Sequence, residues 1–263
     1  MLALLLCAPL LCAQAEGEKP TPPAAEEVAR VRDELEAALR SREQKALEIA
    51  LTAAQEVPHA DIVKQVLRAL EDERRPVRIA AVQALRWIDL PESLAALHEL
   101  ARDKKRLKEP ELGAAILRAI GQHADPSSVA ILAREPFEPQ RGDCINARIY
   151  SFGRIRTRES LEALFAMLGT LPQGNHPRPI AAHMKEARLA LAILSGVDQG
   201  EAPEPWETWW REHRKGFEIA PKPPELPREM HELWTGYWGL ARGYERGNRR
   251  EDRGQDSLRP RTD

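Results

Sequence analysis

Aromatic side chains are scarce until the last quarter of this 263-residue chain, and runs of β-branched residues are missing. Ala and Leu abound instead, a mix that favours helices over strands. Charge of one sign is missing too: 39 basic residues face 41 acidic ones, a formal net charge of −2. Proteins that hold nucleic acid or an anionic membrane usually carry a basic excess, so this balance argues against both. Beyond residue 13 no apolar run is long enough to span a bilayer. Cysteine is rare, with Cys7 and Cys12 in the apolar start and Cys144 alone thereafter, which leaves no framework of internal disulfides.

Catalytic signatures are missing as well. There is no P-loop and no Gly-x-Gly-x-x-Gly after a strand, so nucleotide binding has no anchor. Neither Gly-x-Ser-x-Gly nor Ser-x-x-Lys occurs. His231-Glu232 begins like a zinc-protease helix, but Thr235 stands where the second His is needed. His176 and His183 form a close pair without two further ligands. These gaps predict no catalytic residues, no metal site and no cofactor.

The start of the chain has its own character. Leu2 to Ala13 is apolar apart from Pro9, and Ala13-Gln14-Ala15 supplies a small-x-small cleavage pattern. The usual basic segment ahead of the run is missing, yet run and cleavage pattern together predict a signal peptide over residues 1–15 and an exported protein, periplasmic or secreted. Cleavage would remove both early cysteines. Residues 16–23 read as a linker.

Between residues 24 and 196 the sequence repeats. The clearest unit has Val77, Ala80, Ala81, Ala84 and Leu85 at three- and four-residue steps, then Asp89-Leu90-Pro91 and a second periodic stretch through Leu94 and Leu97. A shift of 35 residues brings Leu112, Ala115, Ala119 and Ile120 into register, and a further 32 brings Cys144, Ala147, Phe152 and Gly153. A fourth copy, stretched by an insertion, runs from Ala187 to Gly196, and a weaker first copy covers Ala24 to Val57. Such spacing marks amphipathic helices, and one helix pair cannot bury its apolar face alone, so the pairs must stack. Cys144 falls on the apolar face, which predicts a buried structural thiol.

The unit from Asp72 to Leu85 resembles the HEAT repeat, whose second helix commonly opens Val-Arg-x-Ala-Ala, here Val77-Arg78-Ile79-Ala80-Ala81. The resemblance implies an all-α, right-handed α-solenoid of about five helix pairs, with the second helices lining a concave surface. It also implies that Asp72 and Arg78 tie neighbouring repeats together. HEAT-like folds host many functions, so chemistry does not follow from the fold.

Toward the end, Pro172, Pro177 and Pro179 interrupt the last unit and predict a loop over 169–182. Over residues 197–220, Trp206, Trp209 and Trp210 share one helical face and predict a helix that caps the open core of the last repeat. A repeat helix closing in Leu-Ser-Gly before a Trp-x-x-Trp-Trp helix resembles the tail of exported HEAT-repeat proteins of planctomycete bacteria. Residues 221–263 read as a Pro- and Arg-rich, largely irregular tail, with seven arginines between Arg242 and Arg261 and an aromatic set, Trp234, Tyr237 and Trp238, ahead of them.

The expected function is a non-catalytic scaffold that binds a protein partner through the concave face. Register places Gln83, Arg86, Arg118, Asn146 and Tyr150 on equivalent outward positions of successive second helices, which makes them the candidate contact residues. The competing expectation is a glycan- or ligand-binding protein, or an enzyme, using the aromatic tail and the 169–183 loop. The N-terminal reading is tested by mass spectrometry of the protein from its host. The expected N-terminus is Glu16, and a chain that keeps Met1 in the cytosolic fraction overturns it.

Overall fold

A computed structural model describes residues 22–41, 43–170 and 178–239. All regular structure among them is helical. The elements are α1 (Ala25–Ser41), α2 (Gln44–Ala54), α3 (Ala60–Ala69), α4 (Arg75–Trp87), α5 (Pro91–Arg102), α6 (Lys104–Lys108), α7 (Leu112–His123), α8 (Val129–Ala133), α9 (Gly142–Arg154), α10 (Arg158–Leu168), α11 (Met184–Ser195), α12 (Pro203–His213) and α13 (Arg228–Trp238). The signal-peptide segment, His176 and Arg242 to Arg261 lie outside the described residues.

Five pairs stack as the repeat requires: α1 on α2, α3 on α4, α5 on α7, α8 on α9 and α10 on α11. The second helices form one layer in the order α2, α4, α7, α9, α11, and the first helices form the other. The short α6 is an insertion within the third pair that the periodicity did not foretell. Local chemistry sets the helix starts. Asp125 accepts from the Ser127 N–H at 2.8 Å, and Thr157 accepts from Ser160 at the start of α10, which satisfies donors that a helix leaves free. Pro76 sits in the first turn of α4 and Pro91 in that of α5, where a missing N–H costs nothing. In the predicted 169–182 loop, Pro179 instead opens a 3-10 turn, Pro179–His183, that leads into α11.

Close approach is built in at two glycines of the second-helix layer. A Cβ on Gly121 of α7 would lie 2.2 Å from Ser151 Oγ of α9, and one on Gly153 of α9 would lie 3.1 Å from Ala190 Cα of α11. Ser151 in turn donates to the Leu117 carbonyl across the same seam at 3.0 Å. Packing on both flanks also widens the buried arc of each helix. Val82, next to the outward position Gln83, is fully buried because α4 is pressed between α2 and α7.

The tie between repeats differs from the expected Asp72–Arg78 side-chain pair. The Asp72 carboxylate accepts from Arg74, whose guanidinium and, to a lesser degree, backbone N–H hold it below the usual carboxylate range. Arg78 donates to the Asp72 and Glu73 carbonyls, each at 2.8 Å, and pairs with Glu109. The arginine therefore joins the α3–α4 turn to the segment before α7, and the aspartate shapes the turn.

The Trp-rich helix caps the array. Trp206 is fully buried with its Nε1–H on the Gly200 carbonyl at 2.8 Å. Trp209 is buried beside it, and Trp210 stacks on Phe165 of α10 with ring centroids 4.7 Å apart. The linker that follows is pinned by Arg158, which donates to the Arg214 and Phe217 carbonyls, and by Arg156 on the Ala220 carbonyl. Trp206→Ala is expected to cost about 3–5 kcal/mol, in the range of other buried large-to-small changes, and the half-buried Trp210 less. Chemical denaturation of the two variants checks this order.

Candidate protein-binding interface

The candidate contact residues come from three consecutive second helices: Gln83 and Arg86 on α4, Arg118 on α7, Asn146 and Tyr150 on α9. Four of them, Gln83, Arg86, Arg118 and Tyr150, gather on one face, and the chain's own α13 lies on the last three. Tyr150 stacks on Tyr237 with centroids 3.8 Å apart and planes 10° from parallel. Arg118 donates to the Tyr237 carbonyl, with its guanidinium 4.7 Å from the centre of the Tyr237 ring. Arg86 donates to the Trp238 carbonyl at 3.0 Å, to Gln122 at 3.2 Å and more weakly to Gln83 at 3.4 Å. Asn146 stands apart from this group and holds His183 Nδ1 at 2.6 Å instead.

Arg228–Trp238 is thus an ordered helix within the segment expected to be largely irregular, and the cause is its aromatic face. Trp238 is fully buried, Met230 is buried, and Trp234 and Tyr237 pack against the same core. Gly121 and Gly153 make room for the two indoles: a Cβ at either position would lie 2.7 Å from Trp238 and 3.2 Å from Trp234, respectively. The last carbonyls of a helix lack partners within it and carry its negative end. Here Arg86 and Arg118 take the Trp238 and Tyr237 carbonyls, so α4 and α7 act as the C-cap of α13. Sequence reasoning found the aromatic spacing at Trp234, Tyr237 and Trp238 but not the face that receives it, and it missed Arg154, whose guanidinium lies 5.7 Å from the Trp238 ring.

The electrostatics of this cluster are one-sided. Burial, reinforced by Arg118 and Arg154, pushes the Arg86 guanidinium down to about 9, and burial lowers Arg154. Burial pushes the Tyr150 hydroxyl up to about 12, and it raises Tyr237 too. Among the described residues no carboxylate forms an ion pair with Arg86, Arg118 or Arg154. Four buried polar atoms without a partner fall here, the Nε atoms of the three arginines and Trp238 Nε1.

Two other side chains with reactive groups lie in the interior. Cys144 is fully buried, and burial pushes its thiol up to about 11, so it stays protonated at neutral pH. His98 Nε2 meets Ser128 Oγ at 2.8 Å in the manner of a base and nucleophile, but Ser128 has no exposed surface for a substrate to reach. Among the described residues no three His, Cys, Asp or Glu side chains gather as a metal would need.

Layered helix pairs, a receiving face of second helices and a Trp-sealed end define a helical-repeat protein. Residues 32–109 match the family model of HEAT repeats. The same helix pairing continues beyond the matched segment through α11, so the described fold is an α-solenoid of HEAT-like repeats. No curated protein shows significant similarity to it.

Acid should loosen the contact between α9 and the start of α11. Burial holds His183 below its ordinary value of 6.5, and His98 likewise. As pH falls the unfolded chain therefore takes up these protons first. Stability present at pH 7 is lost as pH drops below about 6.5 toward the folded-state values. Thermal melts between pH 7 and 5 are expected to show this loss, and His183→Gln should flatten the slope.

Proposed function

We propose that this protein is a non-catalytic scaffold of the cell envelope or exterior that binds a protein partner through the face of its second helices. HEAT repeats commonly serve as protein-interaction scaffolds, which supports the class. The observation that carries the reading is the seat of α13: three successive repeats contribute Arg86, Arg118 and Tyr150 to one helix-gripping surface. Aromatic and arginine side chains in a desolvated patch are the residue types that dominate protein contacts. A face able to grip one helix in this manner suits a partner's helix, and α13 holds that place within the chain. Export rests on the N-terminal sequence pattern, and no helix among the described residues is long and apolar enough to cross a membrane.

The aromatic tail as a glycan platform is less well supported, because Trp238 and Trp206 are fully buried and present no ring face to a sugar. Capture from the envelope fraction of the host, with the mature chain as bait, tests the scaffold. The expected result is a protein partner whose yield falls at least tenfold with Arg118→Ala or Tyr150→Ala, while both variants keep their helical spectrum. Equal capture by both variants moves the contact off this face and overturns the reading.

A further inference from the structure

The seat of α13 is mismatched in charge. Arg86, Arg118 and Arg154 come from three consecutive second helices, α4, α7 and α9, and meet around Tyr237 and Trp238. What faces them is the C-terminal end of a helix, equivalent to about half a negative charge. Buried cations are normally paired, and buried polar atoms normally have partners. Here Arg86 is only 5% exposed, and its Nε is unpartnered, as are those of Arg118 and Arg154. Carbonyl oxygens supply the hydrogen bonds that α13 can offer, and the Trp87, Trp238 and Tyr237 rings lie against the guanidinium groups, but among the described residues no carboxylate forms an ion pair with any of the three. A carboxylate at the same point would accept from two guanidinium groups at once and supply the missing charge.

Shape restricts the ligand further. Gly121 and Gly153 leave space for indole edges, and Tyr150 offers its ring face. These fittings suit aromatic residues at i, i+3 and i+4 of a helix. The helix that occupies them is attached through the segment 214–227 and contacts the solenoid by one face, with Leu233 of its other face 41% exposed.

We infer that the second-helix face is a receptor for a partner helix that carries aromatic residues along one side and a carboxylate at its C-terminal end, and that α13 is an internal stand-in with the aromatic part of this signature but not the acid. This inference rests on the scaffold reading and names the chemistry of its partner. A phosphate could supply the charge but not the helical aromatic spacing, so the partner is a protein segment.

The probe is a fluorescent peptide of residues 226–238, prepared with either a free carboxylate or an amide at Trp238. The free acid places its carboxylate where the Trp238 carbonyl accepts from Arg86. Binding is followed by anisotropy to the full chain and to the full chain with Tyr237→Ser, which loses the stack on Tyr150 and so frees the seat. Both titrations are run after the helical spectrum of the variant has been checked; α13 competes for the seat in the wild-type chain, so weaker binding with the same preference is expected there. The acid is expected to bind at least tenfold tighter than the amide, a difference of about 1.4 kcal/mol. Arg154→Gln should bring the two affinities together. Equal affinity of acid and amide for the unsubstituted seat overturns the carboxylate requirement and leaves the scaffold reading in place. If neither peptide binds the variant while its helical spectrum is intact, the face receives no helix in trans, and both readings fall.

Discussion

Each second helix must be covered on both flanks, and the architecture follows from that requirement. A helix pair such as α3–α4 has apolar surface on two sides, and only another pair can cover the side that its own partner leaves open. The approach has to be close, which is why small residues line the seam: Ala81 and Ala84 on α4, Gly121 on α7, Ser151 and Gly153 on α9, Ala190 on α11. Continuity of this seam sets the order of the layer. It also leaves two unfinished places, the end after α11 and the outward face of the layer itself.

The tryptophans answer both problems, in different ways. Trp206, Trp209 and Trp210 close the end by packing on α10, with Phe165 stacked between repeat and cap. Trp234 and Trp238 return to the middle of the layer, where glycines admit them. The first group is an extension of the repeat, since α12 follows α10 as another first helix would. The second is a ligand in all but connectivity, held by stacking and by guanidinium groups on its terminal carbonyls.

Much of this was legible because it is local. The steps from Val77 to Leu85 specify α4, and the same steps at later offsets specify α7, α9 and α11. The spacing of Trp206, Trp209 and Trp210 specifies a face that has to be buried. The roles of Gln83, Arg86, Arg118 and Tyr150 were legible only by half. Register put them together on one face, but a polar residue on an outward position looks solvated whatever covers it. Arg118 and Tyr237 are 119 residues apart, and Arg86 and Trp238 are 152 apart. Helical periodicity carries no signal at that range. The contact of Asn146 is hidden for a related reason: its partner, His183, belongs to a 3-10 turn within a proline-rich stretch that reads as loop.

The return of α13 also alters the kind of object the array is. Stacked repeats that touch only their neighbours behave as a linear chain of coupled units, free to fray from either end and to fold in parts. A helix from beyond the last repeat that bonds to α4, α7 and α9 together imposes a long-range closure on that chain. The second, third and fourth pairs then share one fastening, so loss of order in any of them releases a contact the other two also use. Folding gains cooperativity that adjacent packing alone does not give, and the fastening forms only once the ribosome has delivered residue 238. Until that point in synthesis the growing solenoid has an open face, and the last residues of α13 are the ones that shut it.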